Sequence, residues 1–341
     1  MTESQSIDHQ FQDKSKFALL TVNNVYTELP PTKFQLSDGT WVMPGVPVPD
    51  LGIWKEWIGS IRMERLGRAN LALFVEEPSD NPEIAGDAQH QRLDKDLHIF
   101  FCMLHLRTGI EYTEGADLLC GSSENGIPVI RLMSQMPTFY QSKGWRPAPI
   151  TKAWLEDGLV LRAGVMAMEA DNNKFRRAIL GLNTLFNGLK EAGQDRLHQF
   201  VRSLEALVLP DIGKTEKQFV HRCQTFARAG NDTRTLLLEA FHMRSDTEHL
   251  QPWEGAVQDY PADQREDVYW QRTRQIEHLA CDAYSRLLRD HALREHFRTD
   301  ASIAGFWKLP DDRRRMLWGT PLDIALEPLV QKYDQWQRAA V

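Results

Sequence analysis

Residues 175–189 read Phe-Arg-Arg-Ala-Ile-Leu-Gly-Leu-Asn-Thr-Leu-Phe-Asn-Gly-Leu, and their apolar side chains recur at every third or fourth position. This spacing lines one face of a helix, so it predicts an amphipathic helix packed on a core. Four more stripes of this period follow, each set apart by glycine or proline, which commonly end helices. The sequence therefore predicts an all-α helical bundle over residues 151–341. The four stripes start at Leu197, Phe219, Leu236 and Ile276.

The part of the chain before residue 151 has a different pattern. Short apolar or β-branched runs bounded by Gly, Pro, Asp or Asn predict strands. Two apolar-faced segments predict helices, one capped by Asp50 and one over Leu93–Leu106. Residues 76–91, rich in acid, Pro, Asn and Gly, predict an exposed loop between them. We predict an α+β domain over residues 17–150, preceded by a disordered stretch over residues 1–16. The predicted strands are Phe17–Val22, Trp41–Met43, Leu71–Val75 and Pro128–Leu132.

Composition narrows the classes of function. The 341 residues carry a formal net charge of −7, which argues against a protein that coats nucleic acid through bulk positive charge. The four cysteines form no CxxC pair, which is typical of free thiols in a reducing cytoplasm. The sequence has no signal-peptide pattern and no run of about eighteen uncharged apolar residues. We therefore expect a cytoplasmic protein with no membrane span.

One helical segment carries a partial metal-ligand pattern. His98, Cys102 and His105 are spaced to lie on one helix face, and His and Cys are ligands that zinc prefers. The same positions lie inside an apolar run, where buried Cys and His side chains are ordinary, and the spacing fixes no fourth ligand. We therefore predict no metal site and no cofactor.

A second polar pattern lies at the end of an apolar helical stretch, where Arg244 and His249 are five residues apart. Arginine offers a planar fork of donors to phosphate oxygens, and histidine transfers protons near neutral pH. Around one phosphodiester, His249 could act as general base or acid while Arg244 stabilises the transition state, without a metal. On a regular helix the two side chains diverge by about 140°. A shared site therefore requires the helix to end or distort near His249, which Pro252 favours.

This pattern resembles the R-x4-6-H signature of HEPN domains, and most closely the bacterial branch that contains the ApeA-type abortive-infection proteins. Ser245 fits that branch, whereas Leu250 stands where the branch usually has glycine. The resemblance covers the C-terminal half and implies a metal-independent endoribonuclease, a homodimer, an RNA substrate and a role in phage defence or another stress response. It implies catalytic roles for Arg244 and His249, with Glu205, Ser245 and Asp246 as supporting residues.

Basic residues flank the third and fourth predicted helices of the bundle. If they face the motif, they provide a local RNA-binding surface on an acidic chain, and otherwise they form an ordinary solvated face. We assign nucleic-acid binding to Lys214, Lys217 and Arg222. Residues 306–322 combine tryptophans with an arginine triplet, and we interpret them as a segment that caps the bundle rather than as a base-stacking surface.

Two alternatives stay open at this point. In the first, Arg244 and Glu248 form a surface ion pair and His249 is a cation near a helix C-terminus. The helical half is then a non-catalytic dimerisation module, and the N-terminal domain binds a ligand or a regulatory partner. In the second, the protein is a nucleic-acid-binding regulator that does not cleave.

Overall fold

The structure is a computed structural model that describes residues 9–48, 51–106, 115–140, 148–171 and 173–325. The chain forms two compact units, residues 1–138 with 147–162 and residues 139–146 with 163–341. The division falls within a helix, α3 (Lys152–Ala170), which starts just after the predicted boundary at residue 150. The α+β region is thus followed by a mainly helical one.

The first unit is built on a six-stranded antiparallel sheet with the strand order β2-β3-β4-β1-β5-β6. The four predicted strands are present, while β2 and β5 were not predicted. The central strand β1 is buried along its whole length, because helices cover both faces of the sheet. The strands are β1 (Ser15–Asn23), β2 (Phe34–Gln35), β3 (Trp41–Met43), β4 (Ala69–Pro78), β5 (Ala116–Glu124) and β6 (Ile127–Gln135).

Two helices pack on this sheet. Helix α1 (Lys55–Gly67) follows a short 3-10 turn and is kinked at Gly59, whose φ of 75° lies in the left-handed region. Helix α2 (Ala88–Leu104) packs against β1 and β5, and its amino end is capped by Asp87. The predicted cap Asp50 lies outside the described residues. Apolar side chains of α1 and the sheet form one core, including Phe17, Leu19, Trp54, Ile58, Phe74 and Leu119.

The N-terminal stretch predicted to be disordered includes residues with defined structure. Phe11 belongs to the core, and Ser15 and Lys16 begin β1. The fully buried amine of Lys16 lies 2.6 Å from a carboxylate oxygen of Asp87, which neutralises its charge. The loop predicted over residues 76–91 is also shorter than expected, because β4 extends through Pro78 and α2 begins at Ala88.

The second unit is helical, and the five predicted apolar stripes coincide with α4 to α8. Helix α5 is central and packs against five other helices, α4, α6, α7, α8 and α10. Its apolar stripe is almost completely buried, so α5 fixes the position of the helices around it. The helices are α4 (Arg176–Lys190), α5 (Gln194–Val208), α6 (Thr215–Phe226), α7 (Asn231–Glu248), α8 (Arg265–Arg289), α9 (His291–Glu295), α10 (Asp300–Lys308) and α11 (Asp311–Trp318).

At the carboxyl ends of several helices of this unit, the backbone carbonyls accept hydrogen bonds from an arginine side chain. The last carbonyls of a helix have no partner within it, so they need donors from elsewhere. Arg196 donates to the carbonyls of Gly188 and Leu189 at 3.3 Å, and Arg222 donates to those of Val208 and Leu209 at 2.6 Å. Two further arginines do the same for α8 and α10, namely Arg294 to Leu288 and Arg314 to Trp307.

The C-terminal aromatic segment packs on the bundle. The indole nitrogen of Trp307 donates to the carbonyl of Leu207 at 3.0 Å, and the ring of Trp318 lies 4.2 Å from that of Phe226. Of the arginine triplet, Arg314 is buried while its two neighbours are exposed. These contacts match a capping role for the segment, and residues 326–341 lie outside the described residues.

The buried histidine at the end of α2 makes the stability of the first unit depend on pH. Burial lowers the pKa of His105 from 6.5 to about 3. The unfolded chain therefore binds a proton that the folded chain excludes, and stability falls as the pH drops from about 6.5 toward 3. Since one pKa unit corresponds to about 1.4 kcal/mol, the loss is on the order of a few kcal/mol.

Urea unfolding of the parent at pH 7, 5.5 and 4.5 measures this loss. His105→Gln should flatten the pH dependence, whereas the matched change at His291, whose side chain is 78% exposed, should leave it as in the parent. Equal pH dependence in all three proteins would contradict the assignment.

Candidate functional site around Arg244

Helix α7 remains regular through the motif and then ends in a Schellman turn. The amide of Leu250 donates to the carbonyl of Thr247 at 3.1 Å, and the amide of Gln251 donates to that of Asp246 at 2.8 Å. The amide of His249 still donates to the carbonyl of Ser245, as in an uninterrupted helix. Five regular residues correspond to about 500° of rotation, so the side chains of a single motif point about 140° apart.

The Schellman turn places Leu250 at a position where its backbone favours glycine, the residue that the HEPN pattern has there. Leu250 has a φ of 56°, in the left-handed region that glycine adopts at little cost. Leu250 is 94% exposed, so its side chain gains little from packing. Glycine after the histidine is therefore the residue that this geometry favours.

We expect Leu250→Gly to stabilise the protein by about 1 kcal/mol, because the left-handed strain of leucine exceeds the entropy cost of glycine. Thermal or urea unfolding measures the difference. The change Leu180→Gly is the control, since Leu180 is an exposed leucine inside a regular helix and should lose stability on replacement. A loss of stability in both variants would show that Leu250 is not strained.

Arg244 itself is held between two carboxylates. One guanidinium nitrogen lies 3.0 Å from Glu205 on α5, and another contacts Glu248 on its own helix. The guanidinium also lies 5.8 Å from the centre of the Phe241 ring. Burial raises the pKa of Glu205, against the opposing effect of the positive charges of Arg244 and Arg202. The contacts with Glu205 and Glu248 fix the position of the Arg244 guanidinium, and the side chain of Arg244 is only 13% exposed.

The same arginine lines a cavity of about 610 Å³ within the helical unit. Helices α4 and α5 approach closely at Gly181, where an added Cβ would lie 2.6 Å from the Cβ of Ala206. Four arginines line the cavity against two carboxylates, so it is locally positive on a chain with a net charge of −7. The charged lining residues are Arg176, Arg177, Arg202, Glu205, Arg244 and Asp300.

The predicted site residues do not all meet. Arg244 and Glu205 are in contact and line the cavity, whereas the described lining does not include the other predicted site residues. His249 is exposed at the end of α7. Ser245 and Asp246 are half-buried in the last turn, where their carbonyls accept the hydrogen bonds of the helix exit.

The three predicted nucleic-acid-binding residues have different environments. Lys214 and Lys217 are exposed at the amino end of α6, beside the lining residue Thr215. Arg222 instead donates to the end of α5, and its guanidinium lies 5.5 Å from the Trp307 ring. Burial lowers its pKa. The contacts of Arg222 are those of a helix cap.

Three cavity arginines were missed in the sequence. Arg202 precedes Glu205 by three residues, so the two share a helix face, and this spacing was the available signal. Arg176 and Arg177 occupy the first turn of α4, where the helix dipole disfavours cations. Arg177 is paired with Asp300 at 2.9 Å.

Across the described residues, no group of three His, Cys, Asp or Glu side chains is arranged to hold a metal ion. Among the described helices, none combines the length and apolar character that crossing a membrane requires. Comparisons of the chain with protein-family models, with curated proteins and with solved structures returned no match.

Proposed function

We propose that the helical unit is a metal-independent endoribonuclease of the HEPN type that acts on RNA in the cytoplasm. The observation that carries this proposal is the position of Arg244, which lines an arginine-rich cavity on an otherwise acidic chain. Such a cavity concentrates positive charge where a polyanion can enter, which is what a nuclease of this net charge needs.

In the proposed reaction, the ribose 2′-oxygen attacks the adjacent phosphorus and the bond from phosphorus to the 5′-oxygen breaks. A base accepts the 2′-hydroxyl proton, and an acid donates a proton to the departing 5′-oxygen. Arg244 stabilises the charge on the phosphorane-like transition state, and His249 transfers a proton. The products are a 2′,3′-cyclic phosphate and a 5′-hydroxyl.

The divergence of the two side chains along α7 supports a dimeric site. Because Arg244 and His249 of one helix point about 140° apart, one phosphodiester can meet both residue types most simply where two protomers pack together. We therefore propose a homodimer in which the arginine of one protomer acts with the histidine of the other.

End mapping of total RNA tests the cleavage chemistry. Bacteria that express the chain, with and without phage infection, should accumulate RNA ends bearing 2′,3′-cyclic phosphate and 5′-hydroxyl groups. Purified protein should generate the same ends in the presence of EDTA. The absence of new ends in infected and uninfected cells alike would refute the proposal.

Mixing two inactive variants tests the shared site. If each site takes Arg244 from one protomer and His249 from the other, a mixture of Arg244→Ala and His249→Ala dimers that exchange subunits regains about a quarter of the parent activity. A site within one protomer would give no recovery.

A second candidate function is supported by the ion pairs of Arg244. Its guanidinium is already matched by two carboxylates, as in a structural position, and His249 lies apart. The helical unit would then be a non-catalytic dimerisation module, with the first unit binding a ligand or regulatory partner. In this case neither the parent nor the Arg244→Ala variant changes the RNA ends. A role in phage defence rests on the HEPN resemblance in either case.

A further inference from the structure

Glu248 occupies an unusual position between two arginines. One of its carboxylate oxygens contacts the guanidinium of Arg244, and the other lies 3.9 Å from that of Arg202 on α5. Both arginines line the cavity. A carboxylate is therefore placed between two of the cations that would bind an anionic ligand.

The two carboxylates around Arg244 differ in how firmly they are held. The side chain of Glu205 is 13% exposed and lies on the buried central helix, so it anchors Arg244. The side chain of Glu248 is 37% exposed. Glu248 is the last residue of α7, where the helix dipole disfavours an acid. Glu248 can therefore rotate into solvent without disturbing the core, whereas Glu205 cannot.

We propose that Arg202 and Arg244 together form a phosphate-binding site, and that the Glu248 carboxylate occupies it until the phosphate of an RNA strand displaces it. A phosphodiester carries the same single charge as a carboxylate and likewise offers two oxygens to paired guanidinium groups. The inference rests on the proposed function, since it takes RNA as the ligand.

The cavity lining also indicates how the strand is recognised. The residues that line it in the described part of the chain include no aromatic side chain on which a base could stack. Recognition at this site is therefore of the phosphate backbone, and binding should depend little on base sequence.

Binding of a 2′-O-methylated RNA tests the inference, because this strand lacks the attacking hydroxyl and cannot be cleaved. Its affinity is measured with two 20-residue homopolymers, over a range of salt concentrations, for the parent and three variants. Glu248→Gln removes the competing charge, and we expect it to tighten binding about tenfold. Arg202→Gln should weaken binding about tenfold and lower the slope of log K against log salt by about 0.7.

The matched control is Glu254→Gln, which removes one exposed acidic charge from the same unit outside the arginine pair. It should change affinity less than about twofold. If Glu248→Gln binds no tighter than Glu254→Gln while the parent still binds RNA, the inference fails and the proposed function stands. If binding follows the expected order but the native RNA is not cleaved, the inference stands and the nuclease proposal fails. If no protein binds RNA, both fail.

Discussion

Replacing Arg244 with alanine is expected to lower the rate of RNA cleavage by about 10²–10³-fold while leaving the bundle folded. The reason is the position of its guanidinium, which lines the cavity and is held in place by Glu205. Arg244→Lys keeps the charge but loses the planar fork, so it should recover only part of the rate. The measurement is the single-turnover cleavage rate of a labelled RNA, using preparations in which the parent is active.

The control for this experiment is Arg228→Ala, which removes an exposed arginine paired with Asp323 and away from the cavity lining. It should cleave at the parent rate. Circular dichroism spectra establish that each variant is folded. If the Arg244→Ala protein is folded and cleaves RNA at the parent rate, the nuclease proposal is wrong and the dimerisation module is favoured.

Replacing Arg196 with alanine is expected to destabilise the helical unit by about 3–5 kcal/mol. Its side chain is 2% exposed and pairs with Glu277 at 2.9 Å, while it also donates to three carbonyls at the end of α4. Its guanidinium lies over the ring of Phe200 at 5.2 Å. Removing it leaves buried carbonyls without their donor and a partly buried carboxylate without its partner.

Urea unfolding followed by circular dichroism measures this loss. Arg202→Ala is the matched control on the same helix, because its side chain is 51% exposed and it should cost less than about 1 kcal/mol. Arg196→Lys should be intermediate, since an ammonium keeps the charge but cannot reach several carbonyls at once. A loss below about 1 kcal/mol for Arg196→Ala would mean that water replaces the buried donor.

The helical half was predictable because α4, α6, α7 and α8 each pack against α5. Burial of one face imposes a 3.6-residue period on the sequence of such a helix. The N-terminal half was predicted less well. Strand β5 contains Gly121 followed by two serines and reads as a loop, yet the glycine is required because the Phe17 ring would lie 2.3 Å from any Cβ at this position. Lys16 reads as part of a polar terminus, because its partner Asp87 is 71 residues away.

At the candidate site, local spacing carried part of the information. The ion pair of Arg244 with Glu248 follows from helical geometry, and the acidic character of Glu205 in an apolar run indicated a special position. The spacing of Arg202 and Glu205 indicates a shared helix face, but no local spacing places Arg176 beside them, because the packing of α4 on α5 decides which helix faces meet. The left-handed backbone at Leu250, which favours glycine, could not be read from the sequence alone.

The arginines that terminate helices also bear on how this chain folds. Each donor belongs to the helix that follows the one it terminates, and the separations in sequence are 8 residues for Arg196, 14 for Arg222, 6 for Arg294 and 7 for Arg314. The end of one helix is therefore completed only when the next one has formed. Neighbouring helices should open and close in pairs rather than singly, and native-state hydrogen exchange should report such pairs as cooperative units.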